Sequence, residues 1–356
     1  MRLQFDVSKT YAIALEGGGA KGAYEIGVWQ ALDEAGVRYN AVSGTSVGAL
    51  NGALMTMRDL PRAVDVWSNI RVSQVIDLGS VEEDDFKKML AGKLEANDWQ
   101  DLLPQAFDVI LNRGLDVSPL RAWVREIVDT RKIKSSDVDF YVSTVSLTDR
   151  RSLEVHVNEL PEDQICDMLL ASAYHPSFRL EKLGGKFYMD GGFVDSLPLH
   201  ALVEAGCRDI IAVRLPGPGI ERLFKLPEDV HITTIRSDAD LGHVLNFDAA
   251  QSRRNMAIGC LDAKRLLYGL HGQHYYIDRS MSEREALDWI LDQAADTAGS
   301  LRKYMEWELP RAAWQLGAWN MDYYDIMLAM AEKQAEKRGI PKLQVYTDRE
   351  LLKLLD

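Results

Sequence analysis

Between Tyr11 and Gly52 the chain twice runs from a short apolar segment into a glycine-punctuated turn and on into a helix-forming segment. The first turn is Glu16–Gly22, reading EGGGAKG, and the second is Gly44-Thr45-Ser46-Val47-Gly48. The pattern predicts strands over Tyr11–Leu15 and Tyr39–Ser43, and helices from Ala20 to about Ala35 and over Val47–Met57. Gly36 is the C′ stop of the first helix. Two strand–turn–helix units in succession point to a parallel sheet with crossover helices.

The second turn is a G-x-S-x-G at a strand-to-helix junction. In such an elbow the serine hydroxyl is held out at the carboxyl end of a sheet, and Gly44 and Gly48 are needed because side chains there would strike the neighbouring backbone. Ser46 is therefore the expected nucleophile. The first turn offers what a serine nucleophile lacks. Successive N–H groups of Gly17, Gly18 and Gly19 at a helix N-terminus form an expected oxyanion hole. The same turn formally matches a dinucleotide fingerprint through Gly17, Gly19 and Gly22, but the second strand ends Ala41-Val42-Ser43-Gly44-Thr45-Ser46 without the carboxylate that would hold a ribose. A P-loop also fails, since Ala23-Tyr24 follows Gly22.

GGGAKG followed by GTSVG resembles the patatin-like phospholipase family of serine acyl hydrolases. That family has a third motif, an aspartate before two small residues, and this chain carries it as Asp190-Gly191-Gly192. The approach through Ala171-Ser172-Ala173-Tyr174-His175-Pro176-Ser177-Phe178 and the following Asp195-Ser196-Leu197-Pro198 are similar to the family as well. The resemblance covers roughly the first 215 residues. It implies a Ser46–Asp190 dyad in which the aspartate acts as base without histidine, with Gly191-Gly192 letting the backbone pass close to the elbow. Lys21 matches the basic residue of the family's glycine loop and carries no expected catalytic role. A conventional triad can still be drawn as Ser46, Asp190 and His200, and His175 also lies near the aspartate in sequence.

The remaining chain fills in the architecture. Helices are expected over Arg62–Ile70, Glu82–Leu94, Trp99–Leu111 and Leu120–Val128, the last with Ser118 as N-cap and Pro119 at its first turn. Met89, Leu90, Leu102, Leu103, Phe107, Ile110 and Leu111 read first as apolar faces of packed helices, with a lid over an acyl cleft as the alternative. Phe140–Leu147 and Ser152–Val157 read as a hairpin, Glu162–Ala173 as a helix, Lys186–Met189 as a short strand, and His200–Ala205 as a helix. Asp209–Leu215 reads as a buried parallel strand and Ile232–Ile235 as an edge strand. Leu241–Leu270 is expected as two helical pieces, and Gln273–Ile277 as a strand returning to the sheet. Ser282 and Glu285 form a capping box before a mostly helical remainder. Trp289, Trp307, Trp314 and Trp319 are expected in a core, with a lipid interface as the alternative. Glu332–Arg338 reads as a solvated charged face.

The fold class that follows is α/β: a three-layer, mostly parallel central sheet with helices on both faces, plus a largely helical C-terminal extension. The expected organisation is a catalytic domain over 8–215, a continuation of the core over 216–280 and the extension over 281–356. A formal net charge of −13 argues against nucleic-acid partners and against strong attraction to anionic membranes. Three scattered cysteines suit a reducing compartment, and no metal or other cofactor is implied. With no apolar signal segment and no apolar run of about 18 residues, the expectation is a cytoplasmic protein, soluble or peripherally membrane-associated. The expected activity is hydrolysis of carboxylic esters of phospholipids or lysophospholipids through an acyl-serine intermediate. Two alternatives remain open: a soluble thioesterase or carboxylesterase with the same dyad, and a non-catalytic binding module.

Overall fold

Thr10–Leu15 and Arg38–Thr45 are almost wholly buried, as strands must be when helices cover both faces of a sheet. The structure, a computed structural model, describes residues 1–78, 82–90, 114–217, 219–297 and 300–355. They divide into a large unit, Asp6–Ala263, and a small unit comprising Met1–Phe5 and Lys264–Asp356.

In the large unit the strands are β1 (Thr10–Leu15), β2 (Arg38–Thr45), β3 (Asp139–Ser146), β4 (Arg151–His156), β5 (Tyr188–Asp190), β6 (Asp209–Arg214) and β7 (His231–Arg236). Their order across the sheet is β4-β3-β2-β1-β6-β7, with β5 paired to β3. Pairings among β3, β2, β1, β6 and β7 are parallel, whereas β4 and β5 run antiparallel to β3. The sheet is thus mostly parallel. Side chains alternate along each strand. Ala12, Ala14, Ala41, Ile210 and Ala212 pack with the helix Leu199–Glu204, while Val42 and Phe140 meet the helix α2 (Val47–Thr56) at Gly52 on the other face. Helices therefore cover both faces.

The first helix begins differently from the expectation. A 3-10 turn, Gly19–Gly22, precedes α1 (Ala23–Glu34), because Gly19 takes a φ of +58° that turns the chain before regular helix can start. Gly36 ends α1 with a φ of +74°. Pro119 sits in the first turn of Ser118–Ile127, but Ser118 is not its cap. Val117 holds that position, and the Asp116 carboxylate accepts the Ser118 N–H at 2.7 Å. The expected helix Trp99–Leu111, the end of Glu82–Leu94 beyond Leu90, and the apolar side chains Met89 and Leu102–Leu111 lie outside the described residues.

The stretch expected as two helices is one, Ala249–Tyr268, and Leu241–Asp248 is a non-helical segment. Tyr276–Asp278 (β8) does not return to the main sheet. It pairs in parallel with β9 (Val345–Thr347) in the small unit, since its apolar partners there are sequence neighbours of the C-terminal helices. Around it Tyr275, Ile290, Tyr324, Met327 and Leu351 form a separate core beneath Glu283–Thr297 and Tyr323–Lys337. The expected capping box is present, with Glu285 N–H donating to Ser282 Oγ and Ser282 N–H to Glu285 Oε2. Glu332 corrects the reading of a solvated face: its buried carboxylate accepts N–H groups of Gln273, His274 and Tyr275. The tryptophans depart further from expectation. Trp289 packs against the core, but Trp307, Trp314 and Trp319 are 72%, 70% and 68% exposed. Among the described residues no helix is long and apolar enough to cross a membrane.

Candidate active site

The elbow is built by close approach of backbone to backbone. A Cβ on Gly44 would come within 2.2 Å of Gly48 O, and one on Gly48 within 2.6 Å of Leu15 O. Only glycine lets β2 turn this sharply beside the end of β1. Between them Ser46 takes φ 55° and ψ −123°, a strained conformation for a residue with a side chain. It stands at the N-terminus of α2, where the helix dipole favours negative charge.

Asp190 reaches this serine through the pairing of β3. On one edge of β3, β2 occupies Asp139–Ser143 and ends with Thr45 opposite Ser143. On that same edge β5 takes over at the next residue, with Asp190 opposite Thr144. The ends of β2 and β5 therefore abut, and the Ser46 hydroxyl donates to Asp190 Oδ2 at 2.6 Å. Asp190 Oδ1 accepts the Gly192 N–H at 2.8 Å. Gly191 passes close to Ser143 O and Thr45, where no Cβ would fit. Burial pushes the Asp190 carboxyl up to about 6, opposed by the hydrogen bonds from Ser46 and Gly192. A carboxylate of that basicity is ionised at neutral pH and better suited to accept a proton than an exposed one.

The glycine turn lies against the same point. Gly17 packs on Ser46 Cβ, Gly22 on Val47, and Gly18 on Leu215. The backbone donors are not equivalent. Gly17 N–H already donates to Ser196 O at 3.0 Å and Ala20 N–H to Val244 O at 2.8 Å. Gly17 is thus removed from the expected set of free donors, because its N–H is spent tying the turn to the segment after Asp190. The N–H groups of Gly18 and Gly19 have no hydrogen-bond partner among the described residues. Lys21 reaches across to Pro216 O, bracing the turn against the segment after β6.

Neither candidate histidine is hydrogen-bonded to the pair. His200 Nδ1 sits 2.8 Å from Glu154 Oε2, with its ring edge-on to Phe224. It does not reach Asp190, so the triad through His200 is not assembled. His175 lines the cleft, but its Nδ1 is engaged by Ser177. Burial lowers its basicity.

Several supporting residues were not singled out by their chemistry in the sequence. Ser172 Oγ accepts the Ser46 N–H at 2.9 Å and donates to Ser143 O at 2.7 Å, while Tyr174 O accepts the Asp190 N–H at 2.9 Å. One turn at the end of the helix Glu162–Ser172 therefore holds the backbone of both Ser46 and Asp190. Glu16, buried at the end of β1, accepts from Leu215 N–H and Ser196 Oγ. An acidic residue at the end of an apolar strand was the available signal. Asn51 donates to Gly22 O and to Glu25, and burial keeps the Glu25 carboxyl far above its ordinary range.

Ser46 and Asp190 open into a cleft of about 430 Å³ whose walls include Val47, Leu50, Ile76, Leu120, Trp123 and Phe247. An apolar cleft with a few convergent polar groups suits a ligand that is largely hydrocarbon. Among the described residues no group of three or more His, Cys, Asp or Glu is placed to hold a metal ion.

A three-layer α/β fold with a serine elbow and an abutting aspartate describes a class of protein. The patatin-like phospholipase family model matches residues 13–203, more than half of the chain, and the chain belongs to that family. It is 26% identical over 208 residues to the Lysophospholipase NTE1 of Mycosarcoma maydis, a match covering 56% of this chain and 9% of that protein. It is 24% identical over 210 residues to Patatin-like phospholipase domain-containing protein 6 of Homo sapiens, covering 57% and 13%. The matched region thus spans only a small part of the length of these curated relatives. Among solved structures, VipD from Legionella pneumophila aligns with a TM-score of 0.43 and 14% identity, over 94% of this chain and 81% of that one.

Proposed function

We propose that this protein hydrolyses carboxylic esters of phospholipids or lysophospholipids through an acyl-Ser46 intermediate, with Asp190 as the base. The observation that carries this reading is the 2.6 Å contact between Ser46 Oγ and a buried, basic Asp190 in an apolar cleft. Ser46 Oγ attacks the ester carbonyl carbon as its proton passes to Asp190 Oδ2. Negative charge gathers on the carbonyl oxygen, which the free N–H groups of Gly18 and Gly19 receive. The tetrahedral intermediate collapses, the C–O bond to the leaving alcohol breaks, and Asp190 returns the proton to that oxygen. Water then attacks the acyl-serine carbonyl as Asp190 takes one of its protons; the acyl C–Oγ bond breaks, Asp190 returns that proton to Ser46 Oγ, and fatty acid leaves. A carboxylate is a modest base, so this reading assigns much of the rate to the oxyanion donors and to the dry cleft.

The test compares wild type, Ser46→Ala and Asp190→Asn on phospholipids, lysophospholipids and short-chain esters, with released fatty acid measured by mass spectrometry. Both variants are expected to lose at least about a thousandfold in kcat/KM while staying folded. An active Asp190→Asn variant would refute the assigned base, and wild type silent on every ester would refute the hydrolase reading.

A further inference from the structure

The mouth of the cleft carries apolar side chains that the fold holds outward. Phe193 and Ile220 line the cleft and are also 43% and 57% exposed. Leu223, three residues beyond Ile220, is 96% exposed, and Leu180, two residues beyond the cleft residue Phe178, is 53% exposed. Single exposed leucines are ordinary, whereas several around one apolar opening mark a binding surface. Nor is the Ile220–Lys225 backbone slack. Ser196 N–H donates to Ile220 O at 2.7 Å, and Ile220 N–H donates to Gly192 O at 3.1 Å. Arg222 pairs with Glu154 at 3.1 Å, and Phe224 packs edge-on against His200. With Arg222 and Phe224 anchored, Leu223 is left pointing into solvent.

We propose that this rim adsorbs to a phospholipid–water interface, with Leu223, Ile220 and Phe193 entering the boundary between headgroups and acyl chains. The proposal rests on reading the cleft as a phospholipid site. Continuity between rim and cleft decides the occupant. Phe193 and Ile220 belong to both, so whatever covers the rim also covers the entrance to Ser46. A folded protein seated there would shut substrate out. A lipid surface is itself the source of the acyl chain, which can then pass from one apolar environment to another without crossing water. Lys225, exposed two residues beyond Leu223 and without an ion-pair partner among the described residues, adds a cation of the kind that meets lipid phosphates. The overall charge of −13 makes a zwitterionic surface the fitting one.

The test uses the full chain with Ser46→Ala, so that lipid is not consumed, and measures co-sedimentation with phosphatidylcholine vesicles. Adding Leu223→Asp is expected to lower the partition coefficient by about tenfold or more, whereas Leu223→Phe keeps it within about twofold. With Ser46 intact, Leu223→Asp is expected to lower vesicle hydrolysis to a similar degree. Hydrolysis of a water-soluble short-chain ester stays within about twofold, because Leu223 is outside the cleft wall. Vesicle binding unchanged by Leu223→Asp overturns the proposal, as does a parent chain that ignores vesicles while cleaving the soluble ester. Dimerisation through Leu223 in sedimentation equilibrium, with no vesicle binding, overturns it in favour of a second copy of this chain. Leu223-dependent vesicle binding by a chain that cleaves no ester upholds the docking surface and removes the hydrolase reading instead.

Discussion

Asp190 in the large unit and Asp348 in the small one are both nearly inaccessible to solvent, yet they sit on opposite sides of the ordinary carboxylate range. Asp190 receives two hydrogen bonds, one of them from the hydroxyl it is proposed to deprotonate. Asp348 receives N–H groups from Ser280, Met281 and Arg349, the Ser280 hydroxyl and the Tyr324 hydroxyl. Burial raises both. At Asp190 it wins, lifting the carboxyl to about 6; at Asp348 the Ser280, Met281 and Arg349 donors outweigh it and hold the group below its usual value. Burial alone therefore does not make a base. A buried carboxylate with fixed donors on all sides is a structural anchor, and one left short of donors retains an appetite for a proton.

The contrast can be broken by stability measurements at two pH values. A folded-state value raised above the unfolded one adds stability below the unfolded value, and that stability is lost as pH rises through the folded value. Asp190, at about 6 against 3.8, therefore costs the fold about 3 kcal/mol at pH 8 and nothing near pH 3. For Asp348 the sign is reversed: its contribution is present above the unfolded value and lost on acidification. In urea unfolding at pH 8, Asp348→Asn should destabilise its unit by about 2–4 kcal/mol, whereas Asp190→Asn should stabilise by up to about 3 kcal/mol. If both variants destabilise equally, the distinction between anchor and base fails.

A second measurement sharpens the role of Asp190. kcat/KM should fall about tenfold for each pH unit below about 6, as the proposed base becomes protonated. Burial also raises Asp195 to about 6, so the acid limb should persist in Asp195→Asn if it belongs to Asp190. A limb abolished by that substitution would reassign it.

Smaller effects probe the support around the pair. Ser172→Ala leaves the strained Ser46 N–H without its acceptor. We expect about a tenfold loss in kcat with KM nearly unchanged, and partial recovery in Ser172→Thr, which restores a hydroxyl. A change in KM alone would mean that Ser172 shapes the cleft rather than the elbow. Least of all should happen at His200. His200→Ala is expected to stay within about twofold in kcat/KM, since its partners are Glu154 and Phe224, and a loss of a hundredfold would return histidine to the chemistry.

Much of this site was legible because its constraints are local. Gly44 is required by its contact with Gly48 O in its own turn and Gly19 by its positive φ, so both turns are written in consecutive letters, although Gly48 and Gly19 also lie against Leu15 O and Val244 O, distant in sequence. The separation of Gly17 from Gly18 and Gly19 was not legible. It depends on Ser196, far along the chain, accepting one particular N–H. Trp307, Trp314 and Trp319 misled for a related reason: hydrophobic composition says what would gain from burial, while the packing of neighbouring helices decides what is buried. Glu332 erred in the opposite direction, its charged surroundings hiding a carboxylate that three backbone N–H groups draw inward.

By itself the sequence determined two tight βα turns, the serine at the centre of the second and the parallel character of the sheet, because backbone sterics and side-chain periodicity act over a few residues. Only the tertiary structure decided that Asp190 meets Ser46. The two are 144 residues apart, and their contact exists because β2 and β5 take up successive positions on one edge of β3. Such a register follows from long-range pairing and burial, to which no short stretch of sequence has access.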